Sequence, residues 1–132
     1  MTDVTVKRVD EMESVFEGSF VRARASLGAR SFGMNIINMP PNWENYPEHD
    51  HAGPPIADDQ EEIYTALHGK ATLKVGAEQY SIEPGTFIRV GAAEKRKIVT
   101  GSEGVQLLCM GGTPGKTFEP LAITELGGPT SL

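Results

Sequence analysis

Cysteine is nearly missing from this chain of 132 residues: Cys109 stands alone, which excludes an internal disulfide and a cysteine-rich zinc knuckle. No apolar run approaches the length that spans a bilayer, so a soluble protein without membrane association is expected. Basic residues are scarce and scattered, 12 against 18 acidic ones for a net charge of −6. Without a basic stripe there is no electrostatic footprint for nucleic acid. The opening MTDVTVKRVDEMES has no basic segment leading into an apolar one, so no secretory signal is expected and the chain is assigned to the cytoplasm. A phosphate loop and a Gly-x-Ser-x-Gly elbow are also missing, which removes two common routes to phosphoryl and acyl chemistry. Cys109 lies in the apolar segment VQLLCM, where a free thiol behaves as a small buried hydrophobe and not as a nucleophile.

What the chain does have is the size of one domain and many short apolar segments punctuated by glycine and proline. The pattern predicts strands at Phe20 to Ala25, Ser31 to Met39, Glu62 to His68, Ala71 to Val75, Gln79 to Ile82, Thr86 to Val90, Arg96 to Thr100 and Val105 to Met110. One short helix is expected over Val9 to Phe16, with Asp10 as its N-cap. Turn signals such as HGK, VGA, EPG and TGSEG between so many strands point to an all-β antiparallel sandwich or barrel. Along Glu62 to His68, alternation puts Glu62, Tyr64 and Ala66 on one face and Ile63, Thr65 and Leu67 on the other. Both faces carry apolar bulk, and a barrel wall packed on a second copy would account for that, so a homodimer is expected.

The segment YPEHDHAGPPIADDQEEIYTALHG gathers two of the three histidines and several carboxylates just before an apolar strand. His49 and His51 are i and i+2, so an extended chain projects both imidazoles from one face toward a single ion. Glu62 shares a face with Tyr64, whereas Glu61 should point away. Two histidines and a carboxylate form a facial set suited to a divalent Fe, Mn, Zn or Ni ion with open positions left over. A His-x-His pair is also common as two solvated side chains, with Glu48, Asp50 and Asp58 as surface decoration. Trp43, Tyr46 and Tyr64 are candidates to wall a pocket; core packing is the competing role for Tyr64 and ordinary surface packing for Trp43. Gln60 is read either as a turn residue or as a hydrogen-bonding neighbour of the pocket, and His68 as a solvent-exposed turn residue.

His49-Asp50-His51, then Glu62 with six residues to Gly69, resembles the first motif of the cupin superfamily, HxH…E(x)6G. The stretch from Pro84-Gly85 through Arg96 is similar to the second motif, PG(x)5PxGxxH. The resemblance covers about residues 30 to 112 and implies a double-stranded β-helix, or jelly-roll, barrel core. The whole chain, 1–132, is then one domain with the terminal segments packed on that core. Departures lie at Trp43 where the first motif has glycine, in a longer loop before Glu62, and at Gly91, Ala93, Arg96 and Thr100 in the second motif. The position that supplies a third histidine ligand in metal-binding cupins therefore holds Arg96.

A guanidinium cannot ligate a metal; it repels cations and attracts carboxylate or phosphate. Two outcomes follow for an inward Arg96: it anchors an anionic ligand beside an ion held by His49, His51 and Glu62, or it pairs with Glu62 and the metal is lost. An outward Arg96 would merely extend the basic run Lys95 to Lys97, although parity groups it with Ile98 and Thr100. Two functional readings are carried forward. One is a metal-binding cupin taking a small organic acid, with oxygenase, isomerase or lyase chemistry open. The other is a metal-free, non-catalytic cupin that binds a small anion as a sensor or binding module.

Overall fold

Glycines with left-handed backbone set where two of the strands turn. Gly69, at φ 74°, ends one strand where an added Cβ would lie 2.0 Å from the Gly104 carbonyl oxygen, and Gly85, at φ 89°, follows Pro84 in the next turn signal. The computed structural model describes residues 2–130. Its strands are β1 (Ser14–Val15), β2 (Phe20–Val21), β3 (Gly33–Met39), β4 (Glu61–Gly69), β5 (Ala71–Val75), β6 (Glu78–Ile82), β7 (Ile88–Val90), β8 (Lys97–Val99) and β9 (Val105–Gly112), with one short helix, α1 (Ala23–Leu27).

They form a six-stranded sheet in the order β1-β2-β3-β9-β4-β7 and a three-stranded sheet in the order β6-β5-β8, with antiparallel pairing throughout. The inner faces share one core: Ile37, Tyr64 and Leu107 from the large sheet meet Leu73, Ile82 and Ile98 from the small one. This is the all-β jelly-roll architecture, built as two facing sheets and not as one continuously hydrogen-bonded barrel.

The amino-terminal segment differs from the sequence reading. Only Val9–Glu11 winds, as a single 3-10 turn capped at Arg8 and not Asp10, and Ser14–Val15 is already strand. Its apolar residues Val9 and Met12 pack on the outside of β3, against Val21, Ala23 and Ile36, so tertiary burial overrides the weak helical pattern. The strand expected over Phe20 to Ala25 stops at Val21. The alanine-rich Ala23–Leu27 is helical instead, and Gly28 at φ 81° terminates it. The outer face of β3 is thus covered by the chain itself, whereas Ile63 and Leu67 on the outer face of β4 are 37% and 39% exposed. Among the described residues no helix is long and apolar enough to cross a membrane.

Candidate metal centre

Glu62 enters β4 directly across from Gly111 of β9 and Val90 of β7. Alternation then sends its side chain inward with Tyr64, while Glu61 faces outward and accepts a 2.7 Å hydrogen bond from Arg89 Nε. The histidine segment runs antiparallel to the approach to β8. His49 N donates to Arg96 O at 3.0 Å, Arg96 N donates back to His49 O at 2.8 Å, and His51 N donates to Ala92 O at 2.8 Å. Residues directly opposed in an antiparallel pair share a face, so His49 and Arg96 reach the same interior, and His51 follows by its i+2 spacing. One ligand atom from each of His49, His51 and Glu62 lies within 4.8 Å of the others.

Hydrogen bonds fix how each imidazole presents itself. His49 Nδ1 donates to the Pro47 carbonyl at 2.9 Å, which leaves Nε2, 3.8 Å from Glu62 Oε1, as the nitrogen facing the cluster. His51 Nδ1 donates to Asp58 Oδ1 at 2.7 Å, and its Nε2 lies 2.9 Å from Glu62 Oε1. Burial disfavours a charged His51, but hydrogen bonds and charge from Glu62 and Asp58 outweigh it and raise its pKa. Burial likewise opposes ionisation of Glu62, yet the adjacent His49 imidazole, with hydrogen bonds to His51 and from Tyr64, holds this carboxyl far below its ordinary range.

Arg96 is wholly buried. Its Nη1 donates to Glu62 Oε1 at 2.8 Å, Nε to Glu94 O at 2.9 Å and Nη2 to Gly91 O at 2.8 Å. Every guanidinium nitrogen has a protein acceptor, so the second outcome of the sequence reading, pairing with Glu62, is the arrangement present. Tyr64 is also wholly buried, and its hydroxyl donates to Glu62 Oε1 at 2.6 Å. The Tyr46 ring stands 5.5 Å from the His49 ring. Burial, then neighbouring acidic groups, raises the pKa of both tyrosines well above the usual value. Trp43 packs against the core but lines a different cleft, with Phe16, Ser19, Asn38 and Met39, away from the three ligands. His68 is exposed on β4.

Two partners were not singled out by the sequence reading. Cys109 donates through Sγ to Glu62 Oε2 at 3.0 Å, and burial, then the charge of Glu62, raises its pKa well above the usual range. The signal was parity: Val105, Leu107 and Cys109 alternate inward along β9, opposite Tyr64. Asp58, read as surface decoration, orients His51. No local pattern marks it, because its place depends on how the loop between the histidines and β4 folds.

The donor set fits a divalent transition metal: two imidazoles oriented through Nδ1 by oxygen acceptors and one ionised carboxylate converge on a common point. The Arg96 guanidinium on Glu62 Oε1 opposes a cation there, and it competes for the same oxygen.

No protein-family model matches the sequence, and no curated protein matches it. Solved structures do. A cupin protein from Bacteroides fragilis superposes with a TM-score of 0.68 over 100% of both chains at 22% identity. A sugar phosphate isomerase of the cupin superfamily from Silicibacter pomeroyi gives 0.65 over 87% of this chain and 76% of its own, at 18% identity. A structure of DMSP lyases gives 0.53 at 20% identity, over 68% of this chain but only 43% of that one. With the paired histidines, Glu62 and Gly69 of the first motif in their places on two facing antiparallel sheets, the chain has the cupin fold.

Proposed function

We propose that this protein is a small metal-binding cupin in which His49, His51 and Glu62 hold a divalent Fe, Mn, Zn or Ni ion beside a site for a small organic acid. The observation that carries the reading is the orientation of the two imidazoles, each tied through Nδ1 to an oxygen so that Nε2 faces Glu62. When bound, such an ion would act as a Lewis acid toward a ligand oxygen or carbonyl. The chain's own residues do the rest. Asp58 and the Pro47 carbonyl fix the ring orientations, Arg96 and Tyr64 position the Glu62 carboxylate, and the protonated Tyr46 hydroxyl is a donor beside the cluster. Isomerase and lyase chemistry, named for two of the structurally similar proteins, are both compatible with a polarised ligand at this position.

The second reading, a metal-free binder of small anions, is favoured by one observation: Oε1 of Glu62 already receives Tyr64 at 2.6 Å and Arg96 at 2.8 Å, with His51 at 2.9 Å. Elemental analysis of protein purified without chelator, followed by reconstitution, decides between them. About one equivalent of a transition metal is expected; far less, with no gain on reconstitution, overturns the metal reading and leaves the second. A homodimer and a cytoplasmic setting, the latter in keeping with the unpaired Cys109, complete the proposal.

A further inference from the structure

Gly33, Gly111 and Glu62 lie in one row across β3, β9 and β4, so two of the three positions at that level of the interior carry no side chain. Beside this row is a cavity of about 60 Å³, bordered by Arg24, Asn35 and Asp58 as well as by His51 and Glu62, and by Phe118 of the carboxy-terminal segment, whose ring lies against Gly33. That volume accepts a few waters or a small organic anion.

Several polar atoms around it are buried and have no hydrogen-bond partner among the described residues: Arg24 Nε and Nη2, Asn35 Oδ1 and Asp58 Oδ2. Arg24 is only 5% exposed. Its Nη1 donates to Ala29 O at 2.9 Å, and its carbon Cζ sits 5.7 Å from the Phe118 ring centre. Nη2 lies 3.3 Å from Glu125 Oε1 without hydrogen-bond geometry. Nε and Nη2 form the side-on edge of a guanidinium, the edge that takes a carboxylate through two parallel hydrogen bonds. Asn35 Oδ1 and Asp58 Oδ2 are acceptors and call for a donor. Buried polar atoms of native proteins are nearly always bonded, so four of them around one cavity describe what fills it.

We propose that this cavity binds a short hydroxycarboxylate, its carboxylate on the Nε and Nη2 edge of Arg24 and its hydroxyl donating to Asp58 or Asn35. Arg24, and not Arg96, whose three guanidinium nitrogens each have a protein acceptor, is then the anion anchor. The assignment deepens the metal-centre reading, since His51 and Glu62 border the same cavity, but its hydrogen bonds do not need an ion.

The test is calorimetric titration of glycolate and acetate into the full chain, chelated and after loading with Ni(II). Saturable glycolate binding is expected, about tenfold or more tighter than acetate. Arg24→Lys, which keeps the charge but loses the two-pronged edge, should weaken glycolate about tenfold or more and leave Ni(II) uptake unchanged. Asn35→Leu, which removes the acceptor and fills the cavity, should abolish binding in a protein whose circular dichroism matches the parent. Absence of glycolate binding to the folded parent, equal affinity for acetate, or undiminished affinity in folded Arg24→Lys each overturns the proposal. Glycolate binding with no Ni(II) uptake would sink the metal reading and sustain this one; Ni(II) uptake without any glycolate response would do the reverse.

Discussion

At the scale of single residues, the centre is organised by competition for one carboxylate. Glu62 Oε1 accepts from Tyr64 and Arg96 and lies 2.9 Å from His51 Nε2, so an ion bound at Oε1 shares an oxygen that the protein already satisfies. His49 stands at the edge of that arrangement, its Nε2 3.8 Å from Oε1 and beyond direct hydrogen-bond distance. His49→Ala should therefore abolish metal content while the far-ultraviolet spectrum and melting temperature stay close to the parent's; unaltered occupancy on elemental analysis would refute the ligand assignment. Arg96 is different, because removing it strands a mostly buried carboxylate. Arg96→Met should cost about 3–5 kcal/mol in denaturant unfolding. Arg96→His supplies an imidazole at the position where the second cupin motif has one, and should raise Ni(II) affinity about tenfold or more in a competition titration.

Among elements, β4 and β9 are the spine of the molecule, paired along almost their full lengths and contributing Glu62, Tyr64 and Cys109 to the centre. Leu107 sits between the sheets, wholly buried, where neighbouring side chains cannot collapse into a vacated volume. Leu107→Ala should lose about 2–5 kcal/mol by chemical denaturation; a loss below about 1 kcal/mol would mean that the two sheets do not close on each other here. The motif glycine at the end of β4 answers to backbone and not to packing. With φ 74° and the Gly104 carbonyl oxygen 2.0 Å from any added Cβ, Gly69→Ala forces the strand end apart from the turn before β9. Its melting temperature should fall although no side chain has been removed.

For the whole molecule, the pH dependence of stability follows from two opposite shifts. Kept metal-free, His51 has a raised pKa, so its contribution is complete below the ordinary 6.5 and is lost as pH rises through the higher folded value. Glu62 has a lowered pKa, so its contribution is complete above the ordinary 4.5 and is lost only in strong acid. The chelated protein should melt highest between those limits and progressively lower above pH 6.5, whereas metal-loaded protein should gain with pH because the ion competes with the His51 proton. A chelated protein that grows more stable above that pH would contradict a cationic His51. Association belongs to this scale too. Ile63, Leu67 and Phe87 leave apolar surface on and beside the outer face of β4, and light scattering on a sizing column should report twice the chain mass; monomer alone would remove the dimer.

How much of this was legible beforehand depends on the range of the cause. Period-two alternation acts within a strand, and it placed Glu62 with Tyr64, separated Glu61, and grouped Arg96 with Ile98 and Thr100, which are buried together in the structure. The i+2 histidines and the turn glycines are equally local, so an all-β sandwich or barrel and three candidate ligands could be read from the residues, whereas the jelly-roll class came from the resemblance of the two motifs to those of cupins. The helix expected over Val9 to Phe16 and the strand expected to run on to Ala25 were misread because the apolar positions of these segments serve the outside of β3, a surface that exists only after folding. Arg24, Asp58 and Cys109 acquired their places in the same way, through register, loop path and helix docking that bring distant segments within hydrogen-bond reach. Sequence determined the strands and the ligand-bearing faces, because pleat and chirality act over a few residues. The tertiary structure decided which of two arginines is spent on Glu62 and which keeps an edge without hydrogen bonds beside Glu125, because that depends on desolvation and contacts between segments far apart in the chain.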